Sequence, residues 1–334
     1  MSVSLEVRPA TTAEQAAPGR RSAVTRTLRA LAGRLGGAAL VLFAVATLSF
    51  FAVRLIPGDP VDAVLGGADQ SSTELREQLR AQLGFDRPLW EQYLAFLGGL
   101  VRGQLGTSYQ LRQPVETVLF EVLGSTVILA VASLALAWVI AVVLALWSAR
   151  SGRAGRLIGQ VLEITAAAVP HFWLGTMLIL AFSLGLGWLP ATSGGRTGFA
   201  GLVLPVVTLA IPLAGFLGQL MRESIVEAMD SPFATSARAR GESEIGLTLR
   251  HALRHAALPG LGLSGWAFGS LISGAVVVET LFSRQGLGRT LLNAVLVRDV
   301  PMVIGAVLLI AVLYVLVLLI VDVLERLIDP RLRA

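Results

Sequence analysis

The sequence predicts an all-α polytopic membrane protein with six transmembrane helices, and three observations support this fold class. Of the 334 residues, 54% are hydrophobic and the mean hydropathy is +0.73, which is too apolar for an ordinary soluble domain. Several apolar runs reach about twenty residues, the length with which an α-helix crosses the hydrocarbon core of a bilayer. The basic residues are arginines, and most of them fall in the loops and tails that the topology below places in the cytoplasm.

The amino-terminal third divides into a tail, a first span and an external segment. Residues 1–35 form a basic tail that we expect to be cytoplasmic and either disordered or bound to the membrane surface. The first transmembrane helix covers 36–56 and is an uncleaved anchor, since no small-residue cleavage site follows its apolar run. An external helical segment covers 57–117, and its first helix begins at a capping box on Ser71 and ends at Gly84.

The remaining chain is a five-helix transmembrane core over 118–325, which contains a polar stretch at 222–259. The loop at 150–156 carries arginines without acids and is therefore predicted to be cytoplasmic. Alternation of the spans then places the amino terminus and the short tail 326–334 in the cytoplasm as well. We predict the five core spans at Val118–Trp147, Ile158–Leu189, Leu202–Met221, Gly260–Phe282 and Met302–Leu324.

The polar stretch has the pattern of two helices joined by a glycine turn. The first helix is predicted from Glu223 to Arg240, and it ends at Gly241, the residue type that best tolerates a left-handed C-cap. Pro259 is predicted to break the second helix and to begin the next span, because a first-turn residue needs no amide hydrogen. The stretch would therefore be a rigid element able to transmit a push. The second helix is predicted to bury an apolar face made of Ile245, Leu249, Ala252, Leu253 and Ala256.

The same stretch resembles the coupling loop of ABC-transporter permease subunits, in the variant found in dipeptide and oligopeptide (peptide/nickel) importers. Residues 236–241 read SARARG where that family has TARAKG, and 250–259 read RHALRHAALP where it has RHALRNALxP. Other matches make the resemblance extend from about Phe50 to Arg333, with Gln285 replacing a usual proline. These matches are RLIPGDP at 54–60, LGFDRP at 83–88, VPHFWLG at 169–175, LGWLP at 186–190, ETLFS and GLG at 279–288, RDVP at 298–301 and DPRLR at 329–333.

The resemblance implies the type I ABC importer permease fold and a role as one permease half of a peptide importer. It implies a second homologous permease subunit, two ATPase subunits that bind ATP and Mg, an extracytoplasmic substrate-binding protein, and membrane lipid as partners. The external segment would either lie on the membrane interface or help to dock the binding protein. The residues implied in coupling to the ATPase subunits are Ser236, Ala237, Ala239, Gly241, Arg250, His251, Arg254 and Pro259.

Composition excludes several chemistries for this chain. It contains no cysteine, so it has neither a disulfide framework nor a thiolate metal site. It contains no lysine, so a Walker A loop is excluded and ATP hydrolysis must reside on another chain. We expect no cofactor and no enzymatic activity here, since no activated nucleophile or paired carboxylates occur in a convincing setting. The arginines are spread over membrane-flanking loops, which indicates topology and not a nucleic-acid partner.

Three residues are candidates for the solute pathway. His171 lies about halfway along the third span, where a polar side chain is costly and usually faces a cavity or a partner helix. The alternative is that Pro170 merely bends this helix. Glu279 is placed near the outer interface, where an acid is more often solvated or a capping group than a ligand. Glu163 is expected to reach water at the inner surface.

Three further alternatives remain open at this stage. His251 and His255 are four residues apart and could hold a metal, but no third ligand is evident, so we expect no metal site. An ion-driven secondary transporter is a second class of function, which the scarcity of ionisable residues within the spans and the absence of inverted repeats disfavour. An intramembrane enzyme using His171 and Glu163 is the third.

Overall fold

The structure is a computed structural model. Among the described residues, side chains are described from residue 32 onward. The chain divides into two compact units, 1–44 and 45–334. The described residues are 20–55, 61, 64–65, 73–193 and 198–328. Predictions that lie outside them are the tail up to residue 19, the motif from Ile56 to Pro60, the Ser71 cap and the motif at 329–333.

The described part of the chain is helical, and its one bridge outside the helices joins Thr107 to Pro114. In chain order the helices are α1 (Arg20–Arg54), α2 (Thr73–Gln82), α3 (Leu89–Val101), α4 (Val115–Arg150), α5 (Arg153–Ala168), α6 (His171–Leu178, continued as a π-helix to Gly185), α7 (Ala200–Met229), α8 (Pro232–Ala239), α9 (Glu244–Leu247, continued as a π-helix over Thr248–Ala252), α10 (Leu253–Leu281), α11 (Leu287–Leu296) and α12 (Val300–Ile328).

Within the described residues, five helices are long and apolar enough to cross a membrane, and α5 with α6 makes a sixth span if the bent pair is counted as one. The predicted all-α, six-span class is therefore confirmed. The five unbroken spans are Ala32–Arg54, Val115–Arg150, Ala200–Met229, Glu244–Leu281 and Val300–Ile328.

Two predicted elements differ from the structure near the first and third spans. Helix α1 begins at Arg20, so of the two alternatives for the tail the disordered one is wrong from there to residue 35, while binding to the membrane surface stays a prediction. This stretch is rich in arginine, alanine and leucine, which favour helix. The third span is broken, because α5 and α6 meet at an angle of 101°. Val169, with ψ of 125°, is extended, as expected for a residue before proline, and Pro170 continues this extended conformation.

Helix α7 is the centre of the second unit. It packs against α4, α5 and α10. Of the 18 most apolar consecutive residues of α7, 67% are buried, whereas the corresponding share for α12 is 22%. The buried face of α4 carries Ala137, Ala141 and Ala145, each with no exposed surface and spaced one helical turn apart. Small side chains at this spacing let helix backbones approach closely, which is the usual way in which membrane helices pack.

Candidate functional site

The candidate site is the segment between α7 and α10, which we call the coupling segment (residues 230–259). Helix α7 ends at Met229 and α8 begins at Pro232, so the helix predicted from Glu223 to Arg240 is interrupted at Asp230 and Ser231. Ser231 is extended, with ψ of 158°, and a proline directly after it fits the first position of a helix, where no amide hydrogen is needed.

Gly241 ends α8 as predicted. Its φ is +85°, in the left-handed region that disfavours residues with a Cβ. The Gly241 amide donates to the Arg238 carbonyl at 2.9 Å, and the Glu242 amide donates to the Ala237 carbonyl at 3.2 Å. These two bonds form a Schellman motif, which satisfies the carbonyls at the helix end and fixes the direction of the turn.

The second helix of the coupling segment begins at a side-chain cap and does not stop at Pro259. The Ser243 hydroxyl accepts a hydrogen bond from the Gly246 amide at 3.1 Å. From Glu244 the helix runs to Leu281 as one continuous span. The predicted break at Pro259 is therefore wrong. Pro259 removes a single intrahelical bond, while the next turn is held by packing: a Cβ on Gly260 would lie 2.7 Å from the Trp138 ring.

The buried face of this helix also differs from the prediction. Ala252 and Ala256 are buried as predicted, but Ile245 and Leu249 are 52% and 48% exposed. Leu247 is buried against Ala234 and Ala237 of α8 instead. The π-helical turns over Thr248–Ala252 explain this difference, because i→i+5 bonding changes the number of residues per turn on which the predicted face depended.

The predicted coupling residues divide between the surface and the interior. Ala237 is buried, and His251 is half-buried, with Nε2 3.3 Å from Glu242 Oε2. Phe233 packs edge-on against the His251 ring and stacks on His255 with ring centroids 5.4 Å apart. Among the residues that the structure describes, no group of three possible metal ligands occurs. The exposed members are Ser236, Ala239, Gly241, Arg250, Arg254 and Pro259.

An ion pair braces the two helices of the coupling segment. Arg238 Nε donates to Glu244 Oε1 at 2.7 Å, and Arg238 Nη1 donates to the Met229 carbonyl at 3.1 Å. The hydrogen bond to Glu244 raises the pKa of Arg238 above its ordinary value. The guanidinium thus connects the end of α7, α8 and α9 into one element.

His171 lines a cavity in the structure, whereas Glu279 is buried at a different place and is not among the residues that line this cavity. The cavity lies between α6, α7 and α10. Glu279 is fully buried, and its carboxylate accepts hydrogen bonds from Thr126 Oγ1 at 2.6 Å and from the Arg289 amide at 3.0 Å. It lies at the amino terminus of α11, where a negative charge is favourable. A pathway role for Pro170, His171 and Glu279 stays a prediction.

Glu163 has a partner that sequence periodicity does not reveal. The side chain was expected to reach water, but it is fully buried and accepts a hydrogen bond from Arg222 Nε at 2.8 Å. Arg222 lies 59 residues further along the chain, on α7. The sequence feature that could have indicated this ion pair is the presence of a glutamate within a predicted span, because an ionisable side chain there usually pairs with another.

Asp299 is another buried acid, which lies in the RDVP match at 298–301 but for which the sequence predicts no role. Its carboxylate accepts hydrogen bonds from the Ser108 hydroxyl and from the amides of Tyr109 and Gln110. The Met302 amide donates to the same carboxylate at 3.4 Å, at the start of α12. Asp299 therefore ties the loop between α3 and α4 to the beginning of the last span.

Comparison with known proteins gives the family. The model described as "Binding-protein-dependent transport system inner membrane component" matches residues 141–334, and the corresponding N-terminal model matches residues 27–130. A Brucella abortus (strain 2308) protein, provisionally named a peptide transport system permease protein, is 35% identical over 309 residues, covering 90% of this chain and 97% of the relative. The glutathione transport system permease protein GsiC of Escherichia coli (strain K12) is 34% identical over 304 residues, with the same coverage of both chains.

These relatives lend no support to the ion-driven alternative. Together the two matched regions include the first transmembrane helix, the external segment and the coupling segment. The chain belongs to the binding-protein-dependent transport system inner membrane components, the permease subunits of ABC transporters, and is a multi-pass inner membrane protein.

Proposed function

We propose that this chain is one permease half of an ATP-driven importer of peptides and that the coupling segment receives the motion of separate ATPase subunits. The observation that carries the proposal is the surface of this segment. Arg250 and Arg254 are exposed beside Ile245 and Leu249, which are about half exposed. Apolar side chains next to cations at the braced, polar end of a span fit a docking cleft of a partner protein.

The structure of the segment supports a mechanical role. The helix from Glu244 to Leu281 is continuous from the docking surface into the membrane core. The Schellman turn at Gly241 and the Arg238–Glu244 pair hold α8 against α9. A displacement applied at α8 and α9 is therefore passed to α7 and α10 together. Alternating access would follow from rigid-body movement of these spans.

The proposed assembly contains a second homologous permease subunit, two ATPase subunits and an extracytoplasmic substrate-binding protein. ATP and Mg are bound by the ATPase subunits, and this chain carries no cofactor and no catalytic residue. Both termini lie in the cytoplasm with the coupling segment. The aliphatic outer face of α12 contacts lipid. Peptides are the proposed cargo because a peptide permease and a permease for glutathione, itself a tripeptide, are among the relatives.

Substitution of Gly241 tests the proposal. Gly241→Arg forces a Cβ into a left-handed conformation with φ of +85°, which disturbs the turn between α8 and α9. In the reconstituted complex we expect ATP-driven peptide uptake to be lost while the chain remains in the membrane. Gly103→Arg is the matched control, because Gly103 also has a positive φ, of +74°, and open space around it, but lies outside the coupling segment. Normal uptake by Gly241→Arg would contradict the coupling role.

A further inference from the structure

One exposed face within the membrane core does not have the composition of a lipid-facing surface. On α10, Trp266, Ser270, Ser273 and Val277 are exposed at the spacing of one helix face. Two of these four are hydroxyl residues.

Helix α12 shows what a lipid-facing surface looks like in this protein. Its exposed large side chains are aliphatic, as expected where only hydrocarbon is available as a neighbour. They are Val312, Leu316, Leu318, Ile320, Val323, Leu324 and Leu327. The contrast indicates that the exposed face of α10 meets something other than lipid tails.

A cavity opens on this face between α6, α7 and α10. Its volume is about 140 Å³, and its walls include Leu209, Pro212 and the neighbouring rings of Phe216 and Trp266, whose centroids are 4.9 Å apart. A cavity of about 150 Å³ with apolar walls is known to hold one benzene molecule. The space therefore matches one aromatic or branched aliphatic side chain.

The polar groups of the cavity are available to a guest. His171 and Ser270 line it, and neither side chain makes a hydrogen bond to any residue in the described part of the chain. None of the described lining residues is an acid or an arginine. A site with apolar walls and a few unengaged polar groups is typical of small-ligand pockets, in which the polar groups set orientation. A charged ligand would lose its hydration on entering the cavity and would have no side chain of opposite charge to pair with.

We propose that this cavity is a cargo subsite, in which one uncharged aromatic or branched aliphatic side chain of a peptide rests between Phe216, Trp266 and Pro212. His171 and Ser270 hydrogen-bond the adjoining peptide group. The proposal rests on the proposed function and names the part of a peptide that this chain recognises. Selection at this subsite acts after the cargo has left the external binding protein.

The absence of cysteine from the sequence permits a direct test. Ser270→Cys places a unique thiol of this chain in the cavity, and Thr73→Cys places one on the exposed start of α2 as a matched control. The complete transporter is reconstituted in vesicles and the rate of N-ethylmaleimide labelling of this chain is measured. The probes are the tripeptides Gly-Phe-Gly and Gly-Asp-Gly at equal concentrations. We expect Gly-Phe-Gly to slow labelling of Ser270→Cys several-fold, Gly-Asp-Gly to leave it unchanged, and Thr73→Cys to respond to neither.

Variants at His171 give a second readout that does not depend on labelling. We expect His171→Leu to raise the KM for Gly-Phe-Gly uptake about tenfold, the effect of losing one hydrogen bond to the peptide. His171→Gln keeps a donor and an acceptor and should retain most of the wild-type KM. Equal effects of both substitutions would overturn the assigned role of the imidazole.

Two labelling outcomes would overturn the proposal. Equal protection by both tripeptides would show that the cavity does not select an uncharged side chain. A Ser270→Cys thiol that stays unreactive in the assembled transporter would show that the second permease subunit fills the cavity. ATP-dependent uptake by the wild-type complex is measured in the same vesicles. If the wild type imports neither tripeptide, the proposed function fails, whereas normal import with an unprotected Ser270→Cys thiol refutes the subsite alone.

Discussion

Arg222 and Glu163 form a buried ion pair between α5 and α7, with Arg222 Nε 2.8 Å from Glu163 Oε2 and the glutamate side chain fully buried. The second carboxylate oxygen of Glu163 has no hydrogen-bond partner among the described residues. The pair joins α5, the first half of the broken span, to α7, the helix that leads into the coupling segment. Since both charges are removed from water, neither is tolerated there without the other.

Removal of one partner should be costlier than removal of both. Arg222→Met leaves a buried carboxylate without its cation, and loss of one member of a buried pair typically costs about 3–5 kcal/mol. We expect a clear fall in the thermal midpoint of the detergent-solubilised complex. The double variant Glu163→Leu with Arg222→Met should recover most of the midpoint. A double variant less stable than the single one would contradict this account of the pair.

Gly215 sets the distance between the same two helices. A Cβ at this position would lie 2.5 Å from both the Ala167 amide nitrogen and the Glu163 carbonyl oxygen, which are backbone atoms that cannot move separately from α5. Gly215→Ala should therefore push α5 from α7 and lower the thermal midpoint. Gly124→Ala is the control, because a Cβ there meets no atom within 4 Å and alanine favours helix by up to about 1 kcal/mol. Equal midpoints for the two variants would refute the prediction.

Asp299 holds the loop between α3 and α4 against the start of α12. Asp299→Ala removes the acceptor for the Ser108 hydroxyl and for the amides of Tyr109 and Gln110. We expect these two amides to exchange hydrogen at least tenfold faster, since each loses its bond to a buried carboxylate. Hydrogen exchange followed by mass spectrometry measures this. Asp86→Ala, at an exposed position in the α2–α3 turn, should leave the loop unchanged.

Tyr109 makes this loop sensitive to alkaline pH. The pKa of Tyr109 is raised to about 12. Burial is the largest cause, and the negative charge of Asp299 raises the pKa further, while the positive charge of Arg54 lowers it by a smaller amount. Because the folded pKa exceeds the unfolded value of about 10, the folded state holds its proton more tightly. The resulting stability is complete below pH 10 and is lost as pH rises towards 12. Absorbance at 295 nm should show one tyrosine ionising late, and Tyr109→Phe should remove that step.

Sequence patterns were sufficient for features that depend on neighbours along the chain. The length and apolarity of α4, α7 and α12 identify them as spans, because crossing a bilayer requires about twenty apolar residues wherever the other helices lie. Gly241 was identified as a helix end for the same reason, since the left-handed turn is a property of that residue's own backbone. The extended backbone at Val169 also depends on the proline that comes next, but the third span was predicted as one unbroken run over Ile158–Leu189.

Other features were decided by which helices meet. Pro259 reads as a break in the sequence, but the helix continues because packing against Trp138 compensates for one lost hydrogen bond. Ile245 and Leu249 read as a buried face, but the π-helical turns between α9 and α10 change which side is covered. A periodic pattern in the sequence assumes regular α-helical turns, so it predicts neither the packing that keeps the helix continuous at Pro259 nor the π-helical turns.

The membrane class, the number of spans and the glycine turn were therefore contained in the sequence itself. Tertiary structure alone decided that Glu163 meets Arg222, that Asp299 meets Ser108, and that His171 and Ser270 share one cavity. The physical reason is that buried polar groups must find partners in space, and the partner of Asp299 lies 191 residues away in the chain. Local pattern specifies which segments are helices, while the packing of those helices specifies which side chains meet.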